Sequence, residues 1–150
     1  MPEKSYTVWM VDDDIDDVFL AKSAAKQLES RVDLVSLYSG KELLEAIEAT
    51  QSSELPDLVL LDLNMPGISG QEVLARRYQS SGKLTLVPFV VLSTSDSGAE
   101  VVNCYESGAS GYVVKPSEFT DFVVVLSRIF DFWLLTNTST RRAHQSASND

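Results

Sequence analysis

The chain has 150 residues, 44% hydrophobic and 23% charged, enough for one globular domain with its own core. Its formal net charge of −10 disfavours a nucleic-acid binder, which must neutralise phosphates. The single cysteine, Cys104, excludes an internal disulfide framework and suits a reducing cytoplasm; no apolar run reaches the roughly 18 residues of a membrane span, and the acid-bearing start (MPEKSYTVWM) is not a secretory signal.

Residues 1–5 read as a loose leader, and residues 6–135 alternate apolar runs with helical patterns. Tyr6–Val11 is a strand candidate ending in acids. Ile15–Glu29 has helical spacing at Ile15, Val18, Phe19, the stem of Lys22, and Leu28. Val32–Tyr38 is rich in β-formers. Gly40–Ala49 is helical, with Leu43, Leu44 and Ile47 on one face. Asp57–Asp62 (DLVLLD) is a continuous apolar strand, followed by a helix over Gly70–Gln79. Val87–Leu92, Gly98–Ser107, Ser110–Val114 and Ser117–Leu135 then read as strand, helix, strand and long helix. Residues 136–150 (TNTSTRRAHQSASND) are polar and read as a disordered tail. Helix starts are marked by Ser39-x-x-Glu42, Ser69-x-x-Glu72 and Ser97-x-x-Glu100, each fitting the capping box in which Ser and Glu satisfy free N–H groups. Gly108 is placed to close the fourth helix.

The strands run apolar instead of alternating, so both their faces are covered, as in a parallel sheet between helix layers. The pattern predicts an α/β fold: a doubly wound (βα)5 three-layer sandwich that binds at the carboxyl ends of its strands. Those ends carry the polar groups. Strand 1 ends at Asp12 and Asp13, strand 3 at Asp62, strand 4 at Ser93 and Thr94, and strand 5 at Lys115 followed by Pro116. Gathered carboxylates repel unless a cation sits among them, and hard oxygen ligands suit Mg2+. A carboxylate can also act as a nucleophile and form an acyl phosphate, with Lys115 supplying charge and Ser93 a hydroxyl to the phosphoryl oxygens.

The blocks VDDD (11–14), LLDLNMPGISG (60–70), VVLSTS (90–95) and GASGYVVKP (108–116) resemble the signatures of the response-regulator receiver family, the CheY-like receivers. The resemblance spans about residues 6–135 and implies a flavodoxin-like, five-stranded parallel sheet of order 2-1-3-4-5. It implies that Asp62 is the phosphoacceptor. Asp12 and Asp13 match the acidic pair that binds Mg2+ together with Asp62 and the backbone carbonyl of Asn64. Ser93, five residues after Pro88, matches the switch hydroxyl, Lys115 the phosphoryl-stabilising lysine, and Tyr112 the aromatic that follows the hydroxyl inward. The Lys115–Pro116 bond is expected to be cis. Two departures stand out. Ser93 replaces a commoner threonine and keeps its hydroxyl; Thr94 replaces a common alanine and is expected to crowd the phosphoryl pocket. The further acids Asp14, Asp16 and Asp17 read as N-terminal helix acids favoured by the helix dipole. The acidic run also resembles that of receivers paired with phytochrome-like or hybrid kinases.

The implied function is a cytoplasmic, single-domain response regulator. It takes phosphate from a sensor histidine kinase or hybrid kinase and signals by changing shape, or relays phosphate to a histidine phosphotransfer protein. It is read as a phosphoacceptor switch and not as an enzyme, with no nucleic-acid or membrane partner. In the last helix, Phe119, Phe122, Val123, Leu126, Ile129, Phe130 and Trp133 form a core stripe, while Val124, Val125, Phe132 and Leu135 fall outside it. That excess marks a docking face of helix 4, strand 5 and helix 5 for a homodimer or another partner. His144 and Cys104 read as inert. Competing classes are a pseudo-receiver, disfavoured by the intact Asp13, Asp62, Ser93 and Lys115; an aspartate-nucleophile phosphatase, which wants an acid where Asn64 stands; and a flavin binder, whose phosphate the acids at 12–17 would repel.

Overall fold

A computed structural model describes residues 5–28, 30–79 and 82–149. Five parallel strands, β1 (Ser5–Val11), β2 (Arg31–Leu37), β3 (Leu58–Asp62), β4 (Phe89–Ser93) and β5 (Gly111–Val114), form one sheet of order β2-β1-β3-β4-β5. Helices α1 (Ile15–Lys26), α2 (Gly40–Ala49), α3 (Gly70–Gln79), α4 (Gly98–Glu106) and α5 (Phe119–Phe130) connect or follow them. Strand pleating sorts the core into two clusters. Val8, Met10, Leu58, Leu60, Val90 and Leu92 face α1 and α5. Trp9, Val11, Val59, Leu61 and Val91 face α2, α3 and α4. The central strands β3 and β4 are buried throughout, and the edge strand β2 is only half-buried. This is why the central strands are apolar at every position and β2 is not.

Several local expectations are corrected. The buried face of α1 is Val18, Ala21, Ala24 and Ala25, whereas Ile15 and Phe19 are exposed. Small alanines let the helix lie close to its neighbours, so the large side chains turn outward. Phe119 is also exposed and outside the core stripe of α5, which is Phe122, Leu126, Ile129 and Phe130. The long helix ends at Phe130 and widens into a π-helical segment, Asp131–Thr136. Of the three capping boxes, the Ser39 Oγ accepts from Glu42 N at 3.1 Å while Glu42 reaches back to Tyr38 N at 2.8 Å. Ser69 Oγ accepts from Glu72 N at 3.2 Å, but Ser97 makes no side-chain cap bond. Instead, the Ser97 N–H donates to Ser95 Oγ, drawing the cap residue toward the preceding loop. Gly108 follows α4 with a positive φ of 98°, as a helix-closing glycine does.

The end of the chain differs most from expectation. Ser5 belongs to β1, and residues 1–4 of the expected leader lie outside the described residues, as does Glu29. Residues 140–149 form a sixth helix, α6 (Thr140–Asn149), instead of a disordered tail. Its anchor is Asp57, 1% exposed, just before β3. Asp57 accepts from Ser139 Oγ, from Arg141 Nη1 at 3.1 Å and from Thr7 N at 2.9 Å, with Arg142 Nε at 3.7 Å. Thr140 Oγ1 donates to Leu86 O, and the Arg142 guanidinium lies 4.1 Å from the centre of the Tyr6 ring. A segment poor in apolar residues is thus held by a buried, fully engaged carboxylate.

Candidate functional site

The strand ends converge as the sequence predicts. Asp12 and Asp13 leave β1, Asp62 closes β3, Ser93 closes β4, and Lys115 follows β5. Parallel pairing sets their levels: Val11 pairs with Leu61, Asp62 with Leu92, and Ser93 with Val114. The β3–α3 loop is folded back onto the site. Gly70 N donates to Leu63 O at 3.1 Å, and a Cβ at Gly70 would stand 2.5 Å from the Asp62 carbonyl oxygen. No larger residue fits there, so a glycine is needed to hold this loop against Asp62.

Asp13, Asp14, Asp17, Asp62, Asn64, Thr94 and Lys115 line an open cleft of about 400 Å³ together with Phe119 and Phe122. Asp12, Asp13 and Asp62 each present a carboxylate oxygen within 4.8 Å of the others. Asp12 is 1% exposed and Asp62 7%, while Asp13 is open to solvent. Asp12 Oδ1 accepts from Asp14 N at 2.9 Å and Asp62 Oδ1 from Asn64 N at 3.3 Å. Lys115 Nζ lies 2.9 Å from Asp12 Oδ2, 2.8 Å from Asp17 Oδ2 and 3.7 Å from Asp62 Oδ1.

Burial pushes the Asp12 carboxyl up to about 7, against the lowering pull of the Asp14 N–H and the Lys115 ammonium, and the charge of Asp62 adds to the rise. Burial likewise raises Asp62, opposed first by Lys115. Burial alone would lower Lys115, but its bond to Asp17 and the charges of Asp12 and Asp62 prevail and hold it above the ordinary lysine range. The cluster therefore carries more negative charge than its one ammonium compensates. Hard oxygen donors, short separations and a shortage of positive charge fit a divalent cation such as Mg2+.

The remaining expected residues lie around this core. Thr94 is exposed at the cleft, in position to narrow it. Ser93 is buried behind the cleft; its Oγ accepts from Ser95 N at 3.1 Å and its carbonyl from Lys115 N at 2.7 Å. The Tyr112 hydroxyl donates to Ser95 O at 2.7 Å, with its ring against the α2–α4 side of the core. Ser93, Ser95 and Tyr112 thus form one hydrogen-bonded chain. The Lys115–Pro116 peptide is trans, not cis; no cis peptide occurs among the described residues. Trans is favoured intrinsically by about 0.5–1 kcal/mol before proline, and here it is compatible with the Ser93 carbonyl bond and with both carboxylates on Nζ. Cys104 is buried in the core, and His144 is exposed on α6.

Asp17 is the site residue that sequence reading missed. It reads as a helix-dipole acid, but Asp14 serves as the cap, accepting from the N–H groups of Asp16 and Asp17. Asp17 turns inward to Lys115, 98 positions away in the chain. Its position in the first turn of α1, directly after the strand-end acids, is the one sequence signal for it.

Residues 8–127 match the family described as the response regulator receiver domain. The probable methanogenesis regulatory protein FilR2 of Methanothrix harundinacea is 30% identical, over 91% of this chain and 89% of that protein. The response regulator Rcp1 of Synechocystis is 31% identical, over 87% of this chain and 90% of its own length. Among solved structures, the phosphorylated cyanobacterial phytochrome response regulator RcpA superposes with a TM-score of 0.83 at 29% identity, covering 91% of this chain and 99% of that one. The Mn2+-bound form of Rcp1 gives a TM-score of 0.80 at 30% identity, over 89% and 98%. With the sheet order, the acidic cleft and the family match in agreement, the chain belongs to the receiver domains of two-component response regulators.

Proposed function

We propose that the chain is a response-regulator receiver whose Asp62 accepts a phosphoryl group with Mg2+ at Asp12, Asp13, Asp62 and the Asn64 carbonyl. The observation that carries this is the juxtaposition of a buried strand-end carboxylate, two further carboxylates and a lysine ammonium in one open cleft. The phosphorylated state of RcpA and the Mn2+ of Rcp1, proteins of the same fold and about 30% identity, support it.

The donor is a phosphohistidine of a sensor or hybrid histidine kinase. An Asp62 oxygen uses a lone pair to form the O–P bond as the P–N bond breaks, and that electron pair returns to the imidazole nitrogen. When bound, Mg2+ supplies positive charge to the phosphoryl oxygens. Lys115 donates to the same oxygens. Ser93 Oγ turns from Ser95 N toward the new dianion, loosening the Ser95 segment that holds the Tyr112 hydroxyl. The populations of the α4–β5–α5 face shift in consequence. Water attack at phosphorus later breaks the P–O bond, restoring the Asp62 carboxylate and releasing inorganic phosphate.

Two apolar surfaces suit the partners. Phe119, which lines the cleft, and Phe19, which shares an adjoining hollow with it, are each 66% exposed where a phosphohistidine-bearing helix would approach. Val102, Tyr105, Val114 and Val124 are exposed on α4, β5 and α5, a face fitted to a second copy or an output partner, the latter including a histidine phosphotransfer protein. The reading places the protein in the cytoplasm, and no helix among the described residues is long and apolar enough to cross a membrane.

Incubation with acetyl phosphate tests the reading by intact mass. One phosphoryl mass is expected with Mg2+, none with EDTA, and none in Asp62→Asn. If neither acetyl phosphate nor a phosphorylated histidine kinase gives a shift, the chain is a pseudo-receiver.

A further inference from the structure

The ammonium of Lys115 has three N–H bonds, and its neighbours are not equivalent. Asp17 Oδ2 at 2.8 Å and Asp12 Oδ2 at 2.9 Å hold it, while Asp62 Oδ1 at 3.7 Å lies just beyond hydrogen-bond reach. One N–H is therefore left on the side of Asp62.

The two holding carboxylates also differ from each other. Asp12 belongs to the three-carboxylate cluster suited to a cation, and any cation there draws on its charge. Asp17 lies outside that cluster. Its side chain is 18% exposed against 1% for Asp12, and it projects from the first turn of α1. The Asp14 cap, accepting from Asp17 N at 3.4 Å, fixes where that turn begins and so where the Asp17 carboxylate stands. A lysine stem is long and flexible, so one shared anchor holds it poorly and two hold it well. Asp17 is the anchor that remains when Asp12 is engaged by a cation.

We propose that Asp17 is a positioning residue for phosphoryl transfer, holding the Lys115 ammonium so that its third N–H faces the oxygen of a phosphoryl group arriving on Asp62. This rests on the phosphoacceptor reading above. Asp17 touches no reacting atom. The transfer itself is unchanged: Asp62 gains the O–P bond, and the leaving group of the donor keeps the pair of the bond that breaks.

The test is the initial rate of phosphoryl mass gain, on the full chain with acetyl phosphate and Mg2+, for wild type, Asp17→Asn, Lys115→Ala and the double variant. Melting with and without Mg2+ checks the fold and cation site of each. Asp17→Asn is expected to react about tenfold more slowly while keeping the Mg2+-dependent rise in melting temperature. In the Lys115→Ala background the same substitution is expected to change the rate by less than about twofold, because the group it positions is gone. Asp17→Ser provides the same comparison if Asp17→Asn melts early. A variant as fast as wild type overturns the proposal. So does an equal slowing with and without Lys115, since Asp17 would then act by another route. A wild-type chain that takes no phosphoryl group from acetyl phosphate or from a phosphorylated histidine kinase removes the phosphoacceptor reading itself, and this proposal with it.

Discussion

At the scale of single residues, the site is a problem of uncompensated charge. Asp12 has its carboxyl raised from an ordinary 3.8 to about 7 because burial disfavours the anion. An acid raised on folding contributes stability while it is protonated. That contribution is complete below the unfolded value near 4 and is lost as pH rises through about 7. The metal-free protein is therefore expected to melt about 3–6 °C lower at pH 8 than at pH 5. Mg2+ should restore most of that loss at pH 8 by compensating the anions, and Asp12→Asn should flatten the pH dependence. Thermal melts at the two pH values with EDTA and with Mg2+ check this; a metal-free melting point that rises from pH 5 to pH 8 contradicts it. That Asp12, Asp13, Asp62 and Lys115 converge is legible in the sequence because each sits at the end of an apolar run. The inward turn of Asp17 is not, because its partner lies in a distant segment and nothing local distinguishes it from a helix-dipole acid.

At the scale of elements, local chemistry fixes some boundaries and tertiary contacts fix others. Helices α2 and α3 occupy the ranges read from their periodicity and caps. The three Ser-x-x-Glu patterns look alike in sequence, yet Ser39 and Ser69 cap and Ser97 does not. Ser39→Ala is accordingly expected to cost about 1 kcal/mol and Ser97→Ala less than about 0.5 kcal/mol in urea unfolding. Equal costs would show that the Ser39 bond is not what stabilises α2. The faces of α1 were harder to read. Hydropathy weights Ile15 and Phe19 above alanine, but the packed face is chosen by closeness of approach, which favours Ala21, Ala24 and Ala25. The large residues so displaced are left exposed, with Phe19 beside Phe119 in a hollow next to the cleft.

At the scale of the whole molecule, the layered parallel sheet and both core clusters follow from five strands and their connecting helices, visible in the sequence, while the order 2-1-3-4-5 is what the family resemblance implies and the structure bears out. The attachment of α6 does not follow from that pattern. It depends on Asp57, Ser139, Arg141 and Arg142, polar residues that hydropathy assigns to surface or tail. Removing the carboxylate would leave two guanidinium groups beside a buried gap. Asp57→Ala is therefore expected to lose about 3–5 kcal/mol in urea unfolding; a loss below about 1 kcal/mol would show that α6 contributes little to the fold. Asp57 immediately precedes β3 and Asp62 closes it, so one carboxylate anchors α6 and the other faces the cleft.

The central claim is that Asp62 itself carries the phosphoryl group. The most direct measurement is to phosphorylate the chain with acetyl phosphate and Mg2+, reduce the acyl phosphate with borohydride, and map the peptides by mass. Homoserine at position 62 is the expected result, absent when EDTA replaces Mg2+. Reduction at another carboxylate, or at none after demonstrated phosphoryl uptake, would contradict the account.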